Sequence, residues 1–218
     1  MRLYVLTRHA ESTLNVSRLV NGDPAVDVPL SEVGMAQAQA LGEQVGAISL
    51  DVCVHTRFGR TRATAEIALD GRNVPLLEVS LLDDVDVGDL EGRTIDDYRA
   101  WKRAHTRHDR FPDGESLDDA ARRYAEGFQQ LLALPYERVL VVCHEIPVRY
   151  AINGAAGSDD LDGPAHDIVN ATPYLFDEDA LSRAAARIRH VVQASAGEKT
   201  ARRRALRGST ASARRPAR

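Results

Sequence analysis

An arginine and a histidine stand side by side near the start of the chain, at Arg8 and His9, directly after the apolar run 3–7. A guanidinium donates paired hydrogen bonds to phosphate or carboxylate oxygens, and a neutral imidazole offers a nucleophilic nitrogen. The run predicts a buried strand, and ligand sites in open α/β sheets lie just beyond the carboxyl ends of strands. Taken alone, the dipeptide is more often a surface pair in a loop, because charged loop residues are common.

Three later segments change that balance. The apolar run 51–55 is followed by Arg60, the run 139–143 is followed by His144, and an acidic loop occupies 83–92. Two guanidiniums can neutralise a phosphate, one imidazole can attack phosphorus, and a carboxylic acid can protonate the leaving oxygen and then deprotonate water. The residue types therefore favour phosphoryl transfer without a metal ion.

Several short segments carry a family resemblance when they are taken together and in order. They are Arg8-His9-Ala10-Glu11-Ser12 with Asn15, Leu30-Ser31-x-x-Gly34, Thr56-x-x-x-Arg60, Asp84-x-x-x-Gly88-x-x-Glu91-Gly92, Gly114-Glu115-Ser116, Val142-Cys143-His144 and Asn170-Ala171. The set resembles the histidine phosphatase (phosphoglycerate mutase-like) superfamily over about residues 3–176.

The resemblance implies a role for each matching position. His9 would be the nucleophile that forms a phosphohistidine, and Asp84 would be the acid and then the base. The phosphate pocket would be lined by Arg8, Asn15, Arg60 and His144. The implied activity is hydrolysis of a small-molecule phosphomonoester with no metal and no cofactor.

Two other functions remain open. One is a phosphotransferase of the phosphoglycerate mutase type, although the short chain and Glu11, where such mutases typically have Gln, favour a phosphatase. The other is a regulatory protein that binds phosphate without turnover. Glu145 keeps this alternative open, because it replaces the family's glycine and places a carboxylate beside the site. It would either raise the pKa of His144 or point away.

The arginine and carboxylate assignments have neighbours that could replace them. Arg57 and Arg62 flank Arg60, and helical spacing directs only one of the three well toward the site. The neighbours of Asp84 in the acidic loop are Asp83, Asp86, Asp89 and Glu91. His105 and His108 have the spacing of a metal pair but are interpreted as surface histidines, since no third ligand is evident. Thr56 and Cys143 are interpreted as packing residues at strand ends.

The elements that would position these residues alternate along the chain as strand and helix. This order predicts an α/β fold, a three-layer α/β/α sandwich with a mostly parallel central sheet, phosphoglycerate mutase-like. The uninterrupted apolar run 139–143 is typical of a central parallel strand, and 171–176 predicts an edge strand because of Pro173. Ser31, Thr94 and Ser116 are predicted helix N-caps. The segment 73–112 is a candidate cap over the site.

Length and charge divide the chain into two parts. The 218 residues fit one α/β domain, predicted at 1–195. Residues 196–218 contain Lys199 and seven arginines against Glu198, a net charge of +7, so the total of −4 leaves −11 on residues 1–195. This basic tail is predicted to be disordered and solvated, with nucleic-acid contact as the alternative.

The first apolar run is too short for a signal peptide, and the two cysteines lie in apolar runs, so a cytoplasmic protein is expected. The sequence predicts no oligomeric state.

Overall fold

The computed structural model describes residues 2–194, in which five strands form one sheet. The strands are β1 (Leu3–Arg8), β2 (Val52–His55), β3 (Leu76–Glu78), β4 (Arg138–Cys143) and β5 (Tyr174–Asp177). Their order across the sheet is β3-β2-β4-β1-β5, and only β5 at the edge is antiparallel to its neighbour. The mostly parallel sheet, its central fourth strand and its edge strand are confirmed.

Helices cover both faces of the sheet. They are α1 (Thr13–Val16), α2 (Glu32–Gln44), α3 (Gly59–Ala68), α4 (Ile95–Ala104), α5 (Leu117–Ala133), α6 (Glu145–Ala155) and α7 (178–194). Helices α2 and α3 pack on one face, against residues such as Val5 and Leu140. Helices α5, α6 and α7 pack on the other, against residues such as Tyr4 and Val141. Because successive strand residues point to opposite faces, strands covered on both faces must be apolar throughout, and the three-layer sandwich is confirmed.

The helix starts follow the predicted capping residues. The side chains of Ser31, Thr94 and Ser116 each accept a hydrogen bond from the backbone N–H three residues later, and the last two form capping boxes with Asp97 and Asp119. Such caps satisfy backbone donors that the first helical turn leaves unpaired. The single turn α1 and the short edge strand β3 are not among the predicted elements.

The register of β1 and β4 brings two distant segments together. These strands are parallel neighbours with Arg8 opposite Cys143, so the residues that follow them leave the same edge of the sheet side by side. The backbone N–H of His9 donates to the carbonyl of Cys143 at 2.9 Å. The sheet therefore fixes His9 beside His144, although 135 positions separate them in the sequence.

Other expectations concern the periphery of the domain. The segment 73–112 contains β3 and α4, and α4 packs through Tyr98 and Trp101 on the main core. Cys53 and Cys143 are buried and unpaired, as expected. Within residues 2–194, every helix is too short or too polar to cross a bilayer. The predicted tail 196–218 lies outside the described residues, so the domain boundary stays a prediction.

Candidate active site

Two buried histidines stand at the centre of the candidate site. The rings of His9 and His144 lie 5.5 Å apart, centroid to centroid, in an edge-on arrangement. Phe58, directly before α3, packs edge-on against His144 at 4.7 Å. The strands thus hold both imidazoles in one pocket.

Arg60 in the first turn of α3 connects the polar groups of this pocket. Its Nε donates to His9 Nε2 at 3.0 Å, and its Nη2 lies 3.3 Å from His144 Nδ1. The same Nη2 donates to Asp84 Oδ2 at 3.1 Å, and this oxygen is 3.3 Å from His144 Nδ1. The structure therefore brings His9, Asp84 and His144 together around Arg60, which contacts all three.

Arg8, the last residue of β1, and Asn15 in α1 line one cavity. The Nη1 of Arg8 donates to the carbonyl of Ile168 at 3.0 Å and lies 3.1 Å from Glu145 Oε2. Asn15 closes the capping box of α1, where its Oδ1 accepts from the backbone N–H of Ser12 at 3.0 Å. Five of the six predicted site residues thus line one cavity of about 650 Å³, and the sixth, His144, is fully buried behind it in contact with Arg60 and Asp84.

The neighbours that could have replaced Arg60 and Asp84 make other contacts. Arg57 pairs with Asp83 at 2.5 Å, and Arg62 pairs with Glu66 at 2.8 Å on the exposed side of α3. Among these arginines, within the described residues, only Arg60 contacts a histidine. The geometry therefore favours the assignments that the motif suggested.

The backbone that carries His9 is held from both sides. Asn170 Nδ2 donates to the His9 carbonyl at 2.7 Å, and the N–H of Ala171 donates to the Arg8 carbonyl at 2.9 Å. The N–H of Ala10 donates to Thr64 Oγ1 at 3.0 Å. Ala10 is not among the residues with positive φ, so alanine fits this position without backbone strain.

Sequence reasoning missed the support of Arg60 from the loop after α1. Asn21 accepts from Arg60 through both its side-chain Oδ1 and its backbone carbonyl. Glu91 in turn accepts from Asn21 Nδ2 at 2.7 Å and from the N–H of Gly22 at 2.6 Å. The Asn21-Gly22 pair signals a turn, but no local pattern connects that turn to an arginine in α3.

Thr56 is more than a packing residue. Its Oγ1 lies 3.0 Å from His144 Nε2 and 2.9 Å from Thr61 Oγ1. A hydroxyl can donate to Nε2 or accept from it, so Thr56 holds the ring in either tautomer. Thr56 therefore orients the His144 ring, which corrects its interpretation as a packing residue.

The pKa values of the histidines are shifted in one direction. Burial, with the nearby charge of Arg60, holds the pKa of His9 well below its usual range, and the same two causes lower the pKa of His144. Both rings are therefore neutral at neutral pH. Of the two alternatives for Glu145, the structure favours the one in which it points away from His144, because its carboxylate bridges Arg8 and Arg149, at 3.1 Å from each.

The pKa of Asp84, the candidate acid, is shifted in the opposite direction. Burial raises the pKa of Asp84 above its usual range, although the charge of Arg60 opposes the change. A carboxyl group that keeps its proton closer to neutral pH is suited to donate it to a leaving group.

The two candidate metal ligands have other partners. His105 stacks on Trp101 with ring centroids 4.1 Å apart, and His108 Nδ1 bonds to the buried carboxylate of Asp118. Within residues 2–194, no group of three or more His, Cys, Asp or Glu side chains is placed to hold a metal ion.

Known proteins resemble the chain in sequence and in fold. The protein named probable phosphoglycerate mutase GpmB of Erwinia tasmaniensis is 31% identical over 160 residues, which are 70% of this chain and 74% of the relative. The structure of Bacillus stearothermophilus YhfR matches with a TM-score of 0.70 and 28% identity, over 80% of this chain and 90% of that one. The alpha-ribazole phosphatase of Shigella flexneri shares the fold, with a TM-score of 0.68 and 24% identity over 80% of this chain and 90% of that one.

A family model gives the same result over a longer span. The model of the histidine phosphatase superfamily, branch 1, matches residues 4–199, which contain every residue of the pocket described above. The sheet order and the paired histidines agree with this match. The chain belongs to the histidine phosphatase superfamily.

Proposed function

We propose that the chain is a metal-independent hydrolase of small-molecule phosphomonoesters that acts through a phosphohistidine on His9. The observation that carries the proposal is the state of that ring. His9 Nδ1 lies 2.7 Å from the carbonyl of Ala10, which can only accept, so Nδ1 holds the proton. The lone pair is therefore on Nε2, the atom that faces Arg60 in the pocket. A buried, neutral imidazole with a fixed tautomer is a ready nucleophile.

In the first step, His9 Nε2 forms a bond to phosphorus as the bond from phosphorus to the ester oxygen breaks. Asp84 gives its proton to that oxygen, and the alcohol leaves. Arg8, Arg60 and His144 hold the three non-bridging oxygens, with Asn15 beside them. The phosphate's negative charge offsets the burial that lowers the pKa of His144 and so favours its donating, protonated form.

In the second step, the ionised Asp84 takes a proton from water as the water oxygen bonds to phosphorus. The bond between phosphorus and Nε2 breaks, and inorganic phosphate and neutral His9 are restored. The same carboxyl group thus serves as acid and then as base, and the proton count returns to its starting value.

A phosphotransferase of the mutase type would use the same first step and return the phosphoryl group to the substrate. The curated relative carries a mutase name, so this candidate has direct support. Glu11 does not separate the two activities, because its Oε1 accepts from Ser31 Oγ at 2.7 Å and connects the loop to α2. A binding protein without turnover is the third candidate, supported by the Glu145 carboxylate on Arg8.

One labelling experiment tests the shared chemistry. We expect protein mixed with ³²P-labelled phenyl phosphate and quenched in alkali to retain label on histidine. His9→Ala should lose the label and about 10³-fold or more of the activity. His105→Ala, which removes an exposed histidine stacked on Trp101, is the control and should retain both.

The other outcomes separate the alternatives. Equal labelling of His9→Ala would overturn the proposal. Affinity for phosphomonoesters without phosphate release would establish the binding protein. Interconversion of phosphoglycerate isomers faster than phosphate release would establish the mutase.

A further inference from the structure

Glu145 is an acidic residue in a cavity whose walls are mostly basic. Basic side chains outnumber acidic ones in the lining of the cavity that holds His9, and the acidic ones are Asp84, Glu145 and Asp167. Asp84 is the candidate acid, so the proposed chemistry explains its place. Glu145 has no part in that chemistry, although it directly follows the buried His144 at the start of α6. A carboxylate beside a phosphate pocket therefore needs a separate reason.

The carboxylate of Glu145 is held between two arginines. Its Oε1 accepts a hydrogen bond from Arg149 Nη1 at 3.1 Å, and its Oε2 lies 3.1 Å from Arg8 Nη1. Arg149 is itself fixed, because it is buried and its Nη2 lies 3.0 Å from Asp162 Oδ1. The anchored Oε1 thus directs the other carboxylate oxygen at Arg8, one of the two arginines proposed to hold the phosphate.

The stability of α6 does not by itself explain this geometry. A carboxylate in a first turn interacts favourably with the helix dipole, and the contact with Arg149 is an ordinary pair four residues apart. Both effects would be the same if Oε2 faced water. The oxygen instead contacts the last residue of β1, next to the candidate nucleophile. The contact with Arg8 is therefore the feature that bears on function.

Arg8 has a donor left for a second anion. Its Nη1 also donates to the carbonyl of Ile168 at 3.0 Å, whereas its buried Nε has no partner among the described residues. An unpaired buried donor is costly, and a phosphate oxygen would remove that cost. A phosphate on Arg8 would then share the guanidinium with the Glu145 carboxylate, and two anions at such a distance repel each other.

The charge of Glu145 also acts beyond Arg8. Burial is the main cause that raises the pKa of Asp84, the charge of Arg60 opposes the rise, and the charge of Glu145 adds to it. The Glu145 side chain is 36% exposed, so water screens its charge only in part. A phosphate between Arg8 and Arg60 would lie within the range of the same charge.

We propose that Glu145 is a specificity-determining residue that weakens the hold of Arg8 on a phosphate group. Its carboxylate neutralises part of the guanidinium charge and repels the bound anion, so that inorganic phosphate is released more readily after hydrolysis. Substrate binding then depends more on the organic part of the ester than on its phosphate. This inference rests on the proposed phosphomonoesterase activity and adds a control on the affinity of that site for its product.

Neutral, isosteric variants of two cavity acids test the proposal. Glu145→Gln removes the charge and keeps an oxygen that can accept from Arg149. The matched control is Asp167→Asn, which removes the same charge from an exposed residue in the lining of the same cavity. The measured quantities are Ki for inorganic phosphate and both KM and kcat for phenyl phosphate. Ionic strength is held constant, because salt screens exposed charges.

We expect Glu145→Gln to lower Ki and KM about tenfold each, whereas kcat should stay the same or fall. The control should lower Ki by less than about threefold. A purely structural role of Glu145 would lower the melting temperature of the variant and leave Ki unchanged, and that result would overturn the proposal. An equal fall of Ki in both variants would also overturn it, because it would show a general effect of cavity charge.

A second variant covers a failure of the first to fold. Glu145→Gly removes the whole side chain and should lower Ki for inorganic phosphate by the same factor, so a wild-type Ki in this variant would refute the proposal.

A failure of the proposed function would look different. If the wild-type protein hydrolysed no phenyl phosphate, the phosphatase proposal would fail, and calorimetric affinities for inorganic phosphate in the same variants would decide the role of Glu145 independently. Tighter binding in Glu145→Gln but not in Asp167→Asn would support that role, and equal binding in both would refute it.

Discussion

Arg60 is the residue on which the site depends most. One guanidinium contacts His9, Asn21, Asp84 and His144, and it packs on the Phe58 ring at 4.3 Å. It is also buried, so its charge acts on the histidines with little screening by water. Burial and this charge together keep both imidazoles neutral, and the Ala10 carbonyl then selects the tautomer of His9.

The shifted pKa values predict how stability depends on pH. His9 and His144 stay neutral in the folded chain but take up protons below about pH 6.5 when unfolded, so the free energy of unfolding falls as pH falls below that value. Each histidine adds about 1.4 kcal/mol per pH unit to this fall in the free energy of unfolding. Asp84 acts oppositely, because its raised pKa makes the folded chain hold a proton that the unfolded chain has released.

Denaturant unfolding between pH 7.5 and 5.5 measures this balance. Relative to the wild type, His144→Gln should lose less stability on acidification and Asp84→Asn should lose more. Parallel pH profiles for all three proteins would show that these groups are not shifted in the folded state.

At the scale of elements, helix α2 packs closely against the loop that follows β1. A Cβ on Gly34 would lie 2.0 Å from the carbonyl oxygen of Glu11, so only glycine allows the helix to approach this closely. Ser31 and Gln37 add hydrogen bonds to Glu11 from the same segment. The position of α2 therefore supports the backbone next to His9.

Gly34→Ala tests this contact. Alanine normally stabilises a helix interior by about 1 kcal/mol relative to glycine, but here the clash should reverse the sign and destabilise the fold by about 1–3 kcal/mol. Activity should also fall, because the displaced Glu11 is two residues from the nucleophile. Val33→Ala, at a 58% exposed neighbour, should change stability by less than about 0.5 kcal/mol. A stabilised Gly34→Ala would show that α2 is free to move away.

At the scale of the whole molecule, charge is distributed unevenly. The cavity is basic, the remainder of residues 1–195 is acidic, and the tail 196–218 carries +7. The acidic exterior disfavours large polyanions, whereas a basic tail attracts them without sequence preference.

Deleting residues 196–218 separates these properties. We expect the shortened chain to keep its kcat/KM for phenyl phosphate, because every residue proposed for the site lies before the tail. The alternative of nucleic-acid contact through the tail predicts an RNA affinity at low salt, measured by filter binding, that falls with added salt in the full chain and disappears in the shortened one. RNA affinity that survives the deletion would place the contact on the domain instead.

The sequence by itself determined the alternation of strands and helices apart from α1 and β3, the caps at Ser31 and Ser116, and the polar residues at the ends of the first and fourth strands. These follow from local patterns: apolar runs, helical spacing and side chains that satisfy their own backbone. The segments that resemble the superfamily added the identity of the candidate nucleophile and acid.

Only the tertiary structure decided which arginine reaches the histidines, that Thr56 orients His144, that Asn21 and Glu91 hold Arg60, and that Glu145 bridges two arginines. Arg60 and Asn21 are 39 positions apart, and Thr56 and His144 are 88 apart. No periodicity within one segment encodes such contacts, because they arise only when the sheet register and the packing of α3 place separate loops in the same space.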